Sequence, residues 1–384
     1  MICNARGRLA PYLDAENEAV QRLLKEGVAI VRACSAAEAD ELRKELWDDL
    51  EALGTGIDRN DPETWKNSNW PQTTHGLLQN QSFGLRIAVC MARLKCVQVF
   101  KKLFKDVPVN SSFDAISVVR PDSQERSYKK EVRLNERYRE GDTLLSSWLH
   151  IDQANCWSEV LRHIQAAFAL EELGEAEQRT QFVLPKPGET IQQFRDRFLA
   201  AFPPPKDPPK KGSSDPERAE WISFALDDNV EKTDPVVIAK RKWLLANGRI
   251  YTPTLQKGEM VLWLSAVPHA SIPGPCPAEG ERRTRVVTFV SMLPAAEVTD
   301  KERAVRNEML ESLDTSGHRV TAEGKKGKVL KCKFTKTGRT YGKELPAFDE
   351  SRVVKASKRA LAESDEPEWS VARKTQRLCA GAGI

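Results

Sequence analysis

The sequence predicts an α+β protein whose core is mainly β, an antiparallel sandwich or barrel backed by helices from the N-terminal part of the chain. Three features point that way. Helical periodicity is concentrated before Pro108, short β-rich segments follow it, and Gly, Pro or charged turns separate those segments.

Taken in order, apolar residues recur every three or four positions from Asn17 to about Lys25 and again from Ser35 to Leu53, where Ser35 and Glu38 have the spacing of a capping box. Between these helices Gly27 to Arg32 reads as a strand. Gly84 to Phe104 repeats the helical pattern through Ile87, Met91, Leu94, Val97, Phe100 and Phe104, a stripe suited to packing on a sheet. The strands expected after Pro108 are Phe113 to Val119, Leu144 to Asp152, Ile164 to Leu170, Gln181 to Leu184, Met260 to Leu264 and Arg285 to Leu293. Phe202 to Asp215 is too rich in proline for a helix or a central strand and reads as a surface insertion continuing to about Asp234. A helix from Asp300 to about Leu313 leads to Gly324–Lys343, where eight Lys or Arg occur without an acid. The expected organisation is one domain over 1–384: helical support at 1–107, a β core at 108–295 carrying the insertion near 202–234, and a basic extension at 296–384.

Composition limits the function. Across 384 residues, 59 Lys+Arg against 55 Asp+Glu leave a net charge of +4, too small a surplus for wrapping a polyanion by charge alone. A 40% hydrophobic content with 9 Trp and 13 Phe fills a core and excludes a disordered chain. No stretch approaches the roughly 18 consecutive apolar residues of a membrane helix, and no secretory signal is visible. The 8 Cys are scattered and none forms a C-x-x-C, so reduced thiols in an intracellular, cytoplasmic compartment are expected.

With five histidines, His75, His150, His163, His269 and His318, any metal site draws on a short list. His150 and Asp152 are two apart in a segment read as a strand, so their side chains share a face and can reach one ion. Alone this pair is weak, because five histidines would produce an H-x-D by chance in roughly a quarter of such sequences. His269 strengthens it, placed at a strand end after Gly258, the apolar run Met260 to Leu264 and Pro268. Two His and one carboxylate on one side of an ion form the facial triad of non-haem Fe(II), with positions left open for a 2-oxo acid and dioxygen. The far carboxylate of such an acid needs a buried cation. Arg285 opens a strand beyond His269, and period two puts it on one face with Val287, Phe289 and Ser291.

These residues resemble the Fe(II)/2-oxoglutarate-dependent oxygenases, and in particular the phytanoyl-CoA dioxygenase-like group. Gly27 to Val31, the helix with Trp47, Ser112-Phe-Asp114, Trp148-Leu-His-Ile-Asp-Gln153, Gln165, Gly258 to Trp263 and Arg285-Val-Val look like that group's landmarks in order, over about residues 20–295. The resemblance implies a double-stranded β-helix, or jelly roll, with Fe(II) on His150, Asp152 and His269. It implies 2-oxoglutarate on Arg285 with help from Ser271, and a pocket lined by Gln165 and Trp148. It also implies oxidation of a small-molecule substrate by O2, with succinate and CO2 released. Asp152 argues for hydroxylation or oxidative rearrangement, because related halogenases leave that position to chloride. Leu264-Ser-Ala-Val-Pro268 departs from the polar stretch usual before the distal His, and puts the substrate in doubt rather than the metal.

Plain readings stand beside these. His75 is equally a turn histidine, and His163, next to Arg162, is expected at the rim in solvent. Gln165 reads equally as a polar residue on an outer face. Arg283 shares the parity of Arg285, and Arg282 lies in the same cluster; Arg285 ranks first. Asp114 and Arg120 either contact substrate or pair with other charges. Nothing near Cys156 suggests a nucleophile. The basic stretch Lys325 to Lys343 reads as a solvated loop or edge hairpin, with a polyanion such as nucleic acid as its alternative partner. The alternatives to the oxygenase are a catalytically silent jelly-roll binding protein using that stretch, and a cupin-like metal enzyme that ignores the oxo acid.

Overall fold

The computed structural model describes residues 5–71, 77–78, 87–114, 116–136, 144–153, 158–203, 222–275, 284–311, 318 and 320. His75, Cys156, Arg282, Arg283, the proline-rich stretch 204–221 and the basic stretch 324–343 lie outside them.

Helix α1 (Glu18–Glu26) starts at Asn17, whose side-chain oxygen accepts from the Ala19 amide at 2.9 Å, and stops at Gly27, which takes the left-handed φ of 84° that glycine adopts without strain. Strand β1 (Val28–Arg32) follows, then α2 (Ala36–Glu51), opened by the Ser35/Glu38 capping box with both reciprocal bonds present. Helix α3 (Ile87–Leu103) packs on α2 and on the last strand of the fold. Of the expected strand Phe113 to Val119 only β3 (Ile116–Val119) is strand, and a separate short strand, β2 (Val109–Ser111), precedes it. Ser112 lies between them and exchanges bonds with Ser291, its amide donating to the Ser291 carbonyl and its hydroxyl accepting the Ser291 amide. Likewise, Leu144 to Asp152 is strand only at β4 (His150–Ile151).

The remaining elements are α4 (Pro121–Asn135), β5 (Ile164–Ala169), β6 (Arg179–Pro185), α5 (Ile191–Ala201), β7 (Ile222–Ser223), α6 (Pro235–Asn247), β8 (Gly248–Tyr251), β9 (Glu259–Leu264), β10 (His269–Ile272), β11 (Arg285–Pro294) and α7 (Asp300–Glu311). Helices are thus not confined to the N-terminal part. Helices α4, α5 and α6 interrupt the β region.

Two antiparallel sheets result. The first runs β1-β9-β5-β11-β2, with β3 also on β11, and the second runs β7-β4-β10-β6-β8. Their pairs are nested: β3 with β11, β4 with β10, β5 with β9 and β6 with β8. Successive pairs alternate between sheets, which is the winding of a jelly roll. In the first sheet β5 and β11 are buried along their whole length, so they are mainly apolar on both faces rather than alternating, with Gln165, Arg285, Thr288 and Ser291 as buried polar exceptions. Before β9, Gly258 has φ 87°, and a Cβ there would stand 2.4 Å from the Cys34 carbonyl oxygen, so the turn demands glycine.

Candidate metal centre and anion pocket

His150 on β4 and His269 on β10 are direct cross-strand partners, with imidazole centroids 4.4 Å apart. Asp152 sits in a bend just past β4 and reaches both: its carboxylate oxygens lie 3.7 Å from His150 Nε2 and 3.4 Å from His269 Nε2. One ligand atom from each residue falls within 4.8 Å of the others.

The second nitrogen of each ring is fixed. His150 Nδ1 meets the Trp148 carbonyl at 3.1 Å and His269 Nδ1 meets the Val267 carbonyl at 2.9 Å. A carbonyl only accepts, so the proton belongs on Nδ1 and the Nε2 lone pair is available. Gln165 Nε2 donates to Asp152 Oδ2 at 2.8 Å, which orients the carboxylate. Burial pushes the His150 imidazole down to about 4 against the opposing pull of Asp152, with His269 adding to the fall. Burial alone would raise the Asp152 carboxyl, yet the adjoining histidines hold it well below the usual range. For His150 and Asp152 the result is a neutral imidazole and a carboxylate, the ligand states a divalent ion requires.

Arg285 opens β11 and is 1% exposed. Its Nη1 donates to the Ser117 hydroxyl on β3 at 2.8 Å, whereas Nε and Nη2 are buried with no hydrogen-bond partner among the described residues. Burial pushes the guanidinium down to about 10. A buried cation with two donors unspent is costly unless an anion meets it, and Nε with Nη2 is the fork that grips a carboxylate.

Beside these groups lies a cavity of about 550 Å³. Its lining includes Ser117, which holds Arg285, Trp148 and Ser271, each two residues from a histidine, and Trp70, Arg120 and Lys130 farther out. The Trp148 and His150 rings are 4.8 Å apart.

Some expected residues are placed otherwise. His163 is buried rather than at a solvent rim, because the N-terminal segment covers it: its Nε2 lies 3.0 Å from Arg8 Nη2, and Leu9 bonds the Leu161 carbonyl. Arg120 donates to the Trp65 carbonyl and to Asn67, and lies 4.9 Å from the Trp70 ring centroid. Asp114 is fully buried against His318.

Three contributors were not visible locally. Ser117 is linked to Arg285 only by the β3–β11 register. Glu131 on α4 accepts from the Ser147 amide and hydroxyl, and Arg241 on α6 donates to the carbonyls of Leu145, Ser146 and Phe224. Together they clamp the segment leading to His150, and no local pattern marks residues so far apart as partners. The signal for His318 was only its rarity as one of five histidines.

Fold and site together define a jelly roll carrying a two-histidine, one-carboxylate constellation that can hold a metal ion. No protein-family model matches the chain, and no curated protein matches it in sequence. Among solved structures it is similar to EctD from S. alaskensis with 2-oxoglutarate and 5-hydroxyectoine, at 12% identity and TM-score 0.39 over 77% of this chain and 85% of that one. It is also similar to the non-heme alpha ketoglutarate dependent carbocyclase SnoK from nogalamycin biosynthesis, at 13% identity and TM-score 0.38 over 73% and 85%. A third is the epimerase SnoN in complex with Fe3+, alpha ketoglutarate and nogalamycin RO, at 12% identity and TM-score 0.35 over 72% and 82%. Identities and TM-scores this low assign neither activity nor ligand to this chain.

Proposed function

We propose that the protein is an Fe(II)- and 2-oxoglutarate-dependent oxygenase that hydroxylates a small molecule, with His150, Asp152 and His269 as iron ligands and Arg285 as the anchor for the far carboxylate of 2-oxoglutarate. The observation that carries this reading is the buried Arg285 fork, without a partner on Nε and Nη2 among the described residues, held by Ser117 beside a cavity that Trp148 and Ser271, neighbours of the His150-Asp152-His269 set, also line. The donor set fits iron of this kind. The phytanoyl-CoA dioxygenase-like group is the sequence resemblance closest to this reading.

When bound, iron with its oxo acid supplies the activation of O2, and the overall balance is R–H + 2-oxoglutarate + O2 → R–OH + succinate + CO2. The chain's own side chains do the rest. The Trp148 and Val267 carbonyls keep both Nε2 lone pairs free, and Gln165 holds one carboxylate oxygen of Asp152. Ser117 turns the guanidinium so that its free edge faces an anion. Phe182 and Trp263, with ring centroids 6.4 and 5.1 Å from that of His269, keep bulk water from that imidazole. Substrate occupies the cavity lined by Trp148, Ser271 and Ser117. Because Arg120 and Lys130 line it as well, anionic small molecules are the first to screen.

The test needs no substrate. Protein prepared without oxygen receives Fe(II) and then 2-oxoglutarate, and the weak visible charge-transfer band of the chelate is recorded beside Asp152→Ala and Arg285→Ala. A band in the wild type that weakens in both variants supports the reading. Its absence from folded, iron-replete wild type sinks it, and metal-dependent O2 use indifferent to the oxo acid would favour the cupin-like alternative.

A further inference from the structure

His318 comes from beyond the last strand of the jelly roll, yet it packs beside the strand that carries Arg285. Its Nδ1 bonds Asp114, a carboxylate with no exposed surface that lies between β2 and β3. Its ring stands edge-on to Phe289 at 5.6 Å, and Phe289 in turn lies 5.7 Å from the Arg285 guanidinium.

The contact is anchored independently of His318. Two residues on, Val320 is fully buried and its carbonyl accepts from Arg306 Nη1 at 3.1 Å. Arg306 on α7 also donates from Nη2 to the Ser111 carbonyl at 2.5 Å and lies 4.4 Å from the Phe113 ring. Arg306 therefore ties the segment carrying His318 to β2. The order from inside to outside is Arg285 at 1% exposure, Phe289 at 9%, and the His318 side chain at 31%.

We infer that His318, held by Asp114, is a positioning residue that shields the Arg285 guanidinium through Phe289 and so strengthens its hold on 2-oxoglutarate. The inference rests on the oxygenase reading above. The bond from Nδ1 to Asp114 fixes the imidazole against Phe289. With the ring in place, the guanidinium meets its anion away from water, where a charge-assisted bond is stronger than in solvent. Without it, water reaches the Phe289 edge and screens Arg285.

The test is a split between two affinities in the full-length protein. Fe(II) affinity is measured by chelator competition, and 2-oxoglutarate affinity by anaerobic titration of the charge-transfer band, for wild type, His318→Ala, His318→Gln and Asp114→Asn. The loss of about 1 kcal/mol typical of one such contact predicts 2-oxoglutarate binding roughly fivefold weaker in His318→Ala, with Fe(II) binding within about twofold of wild type. His318→Gln keeps an N–H for Asp114 and recovers part of the loss, and it decides the matter by the same split if the alanine variant fails to fold. Unchanged 2-oxoglutarate affinity in the histidine variants overturns the inference, as does a parallel loss of both affinities, which would mark general disruption. A missing band in the wild type overturns the oxygenase reading itself, a result distinct from either.

Discussion

Gln165 offers no ligand atom, but its amide determines which way Asp152 faces, since Nε2 donates to Oδ2 and leaves Oδ1 toward His150. Removing an orienting partner of this kind typically lowers metal affinity 10–100-fold, so Gln165→Ala should bind Fe(II) weaker by about that factor in chelator competition. An unchanged affinity would mean the amide is only filler. His150 makes a separate prediction, in the metal-free protein. Its folded value of about 4 lies below the usual 6.5, so as the pH falls the unfolded chain takes the proton first. His150 is therefore without penalty above about pH 6.5 and subtracts stability progressively as the pH drops toward 4. Imidazole NMR resonances followed through a pH titration should place its midpoint near 4. A midpoint near the ordinary histidine value would show that the ring is not desolvated as its burial requires.

Strand β9 depends on the turn that admits it. At Gly258, alanine would combine left-handed strain with a 2.4 Å approach to the Cys34 carbonyl, so Gly258→Ala should cost about 1–3 kcal/mol or more in denaturant unfolding. A second element-level support is Arg241, which satisfies three carbonyls and the Asn135 side chain from inside the core. Arg241→Ala strands those acceptors and should lower stability by roughly 2–4 kcal/mol, again read from denaturant midpoints, while loosening the segment before His150. Legibility follows the same division. Caps and long apolar strands were readable, because Asn17, Ser35/Glu38 and β11 express local rules. Helix α4 was not, since Pro121–Asn135 carries seven charged residues in fifteen, and β4 and β7, two residues each, are strands only through their partners. In the site, the H-x-D spacing and the Arg285 parity came from period two, whereas Ser117, Glu131 and His318 meet it through pairings no local pattern encodes.

The triad and the arginine belong to different sheets. His150 and His269 sit on β4 and β10 of the second, while Arg285 and its partner Ser117 sit on β11 and β3 of the first. Within the apo protein, Gln165 of the first sheet already bridges to Asp152 beside the second. A metal ion binds one side of this arrangement, and an oxo acid chelated to it and held by Arg285 would join both. Ligands bound only by the folded state stabilise it by mass action, about 2.7 kcal/mol at a hundredfold excess over Kd. For a protein of this size that is roughly 3–4 °C in Tm. Thermal melts without oxygen should therefore rise in two steps, first with Fe(II) and again with 2-oxoglutarate. Asp152→Ala should lose both steps, because the second needs the first. Arg285→Ala should keep the metal step and lose most of the second, because only the first-sheet anchor is gone. If Arg285→Ala responds to 2-oxoglutarate as the wild type does, the two sheets are not joined through that residue and the unpaired guanidinium serves another anion.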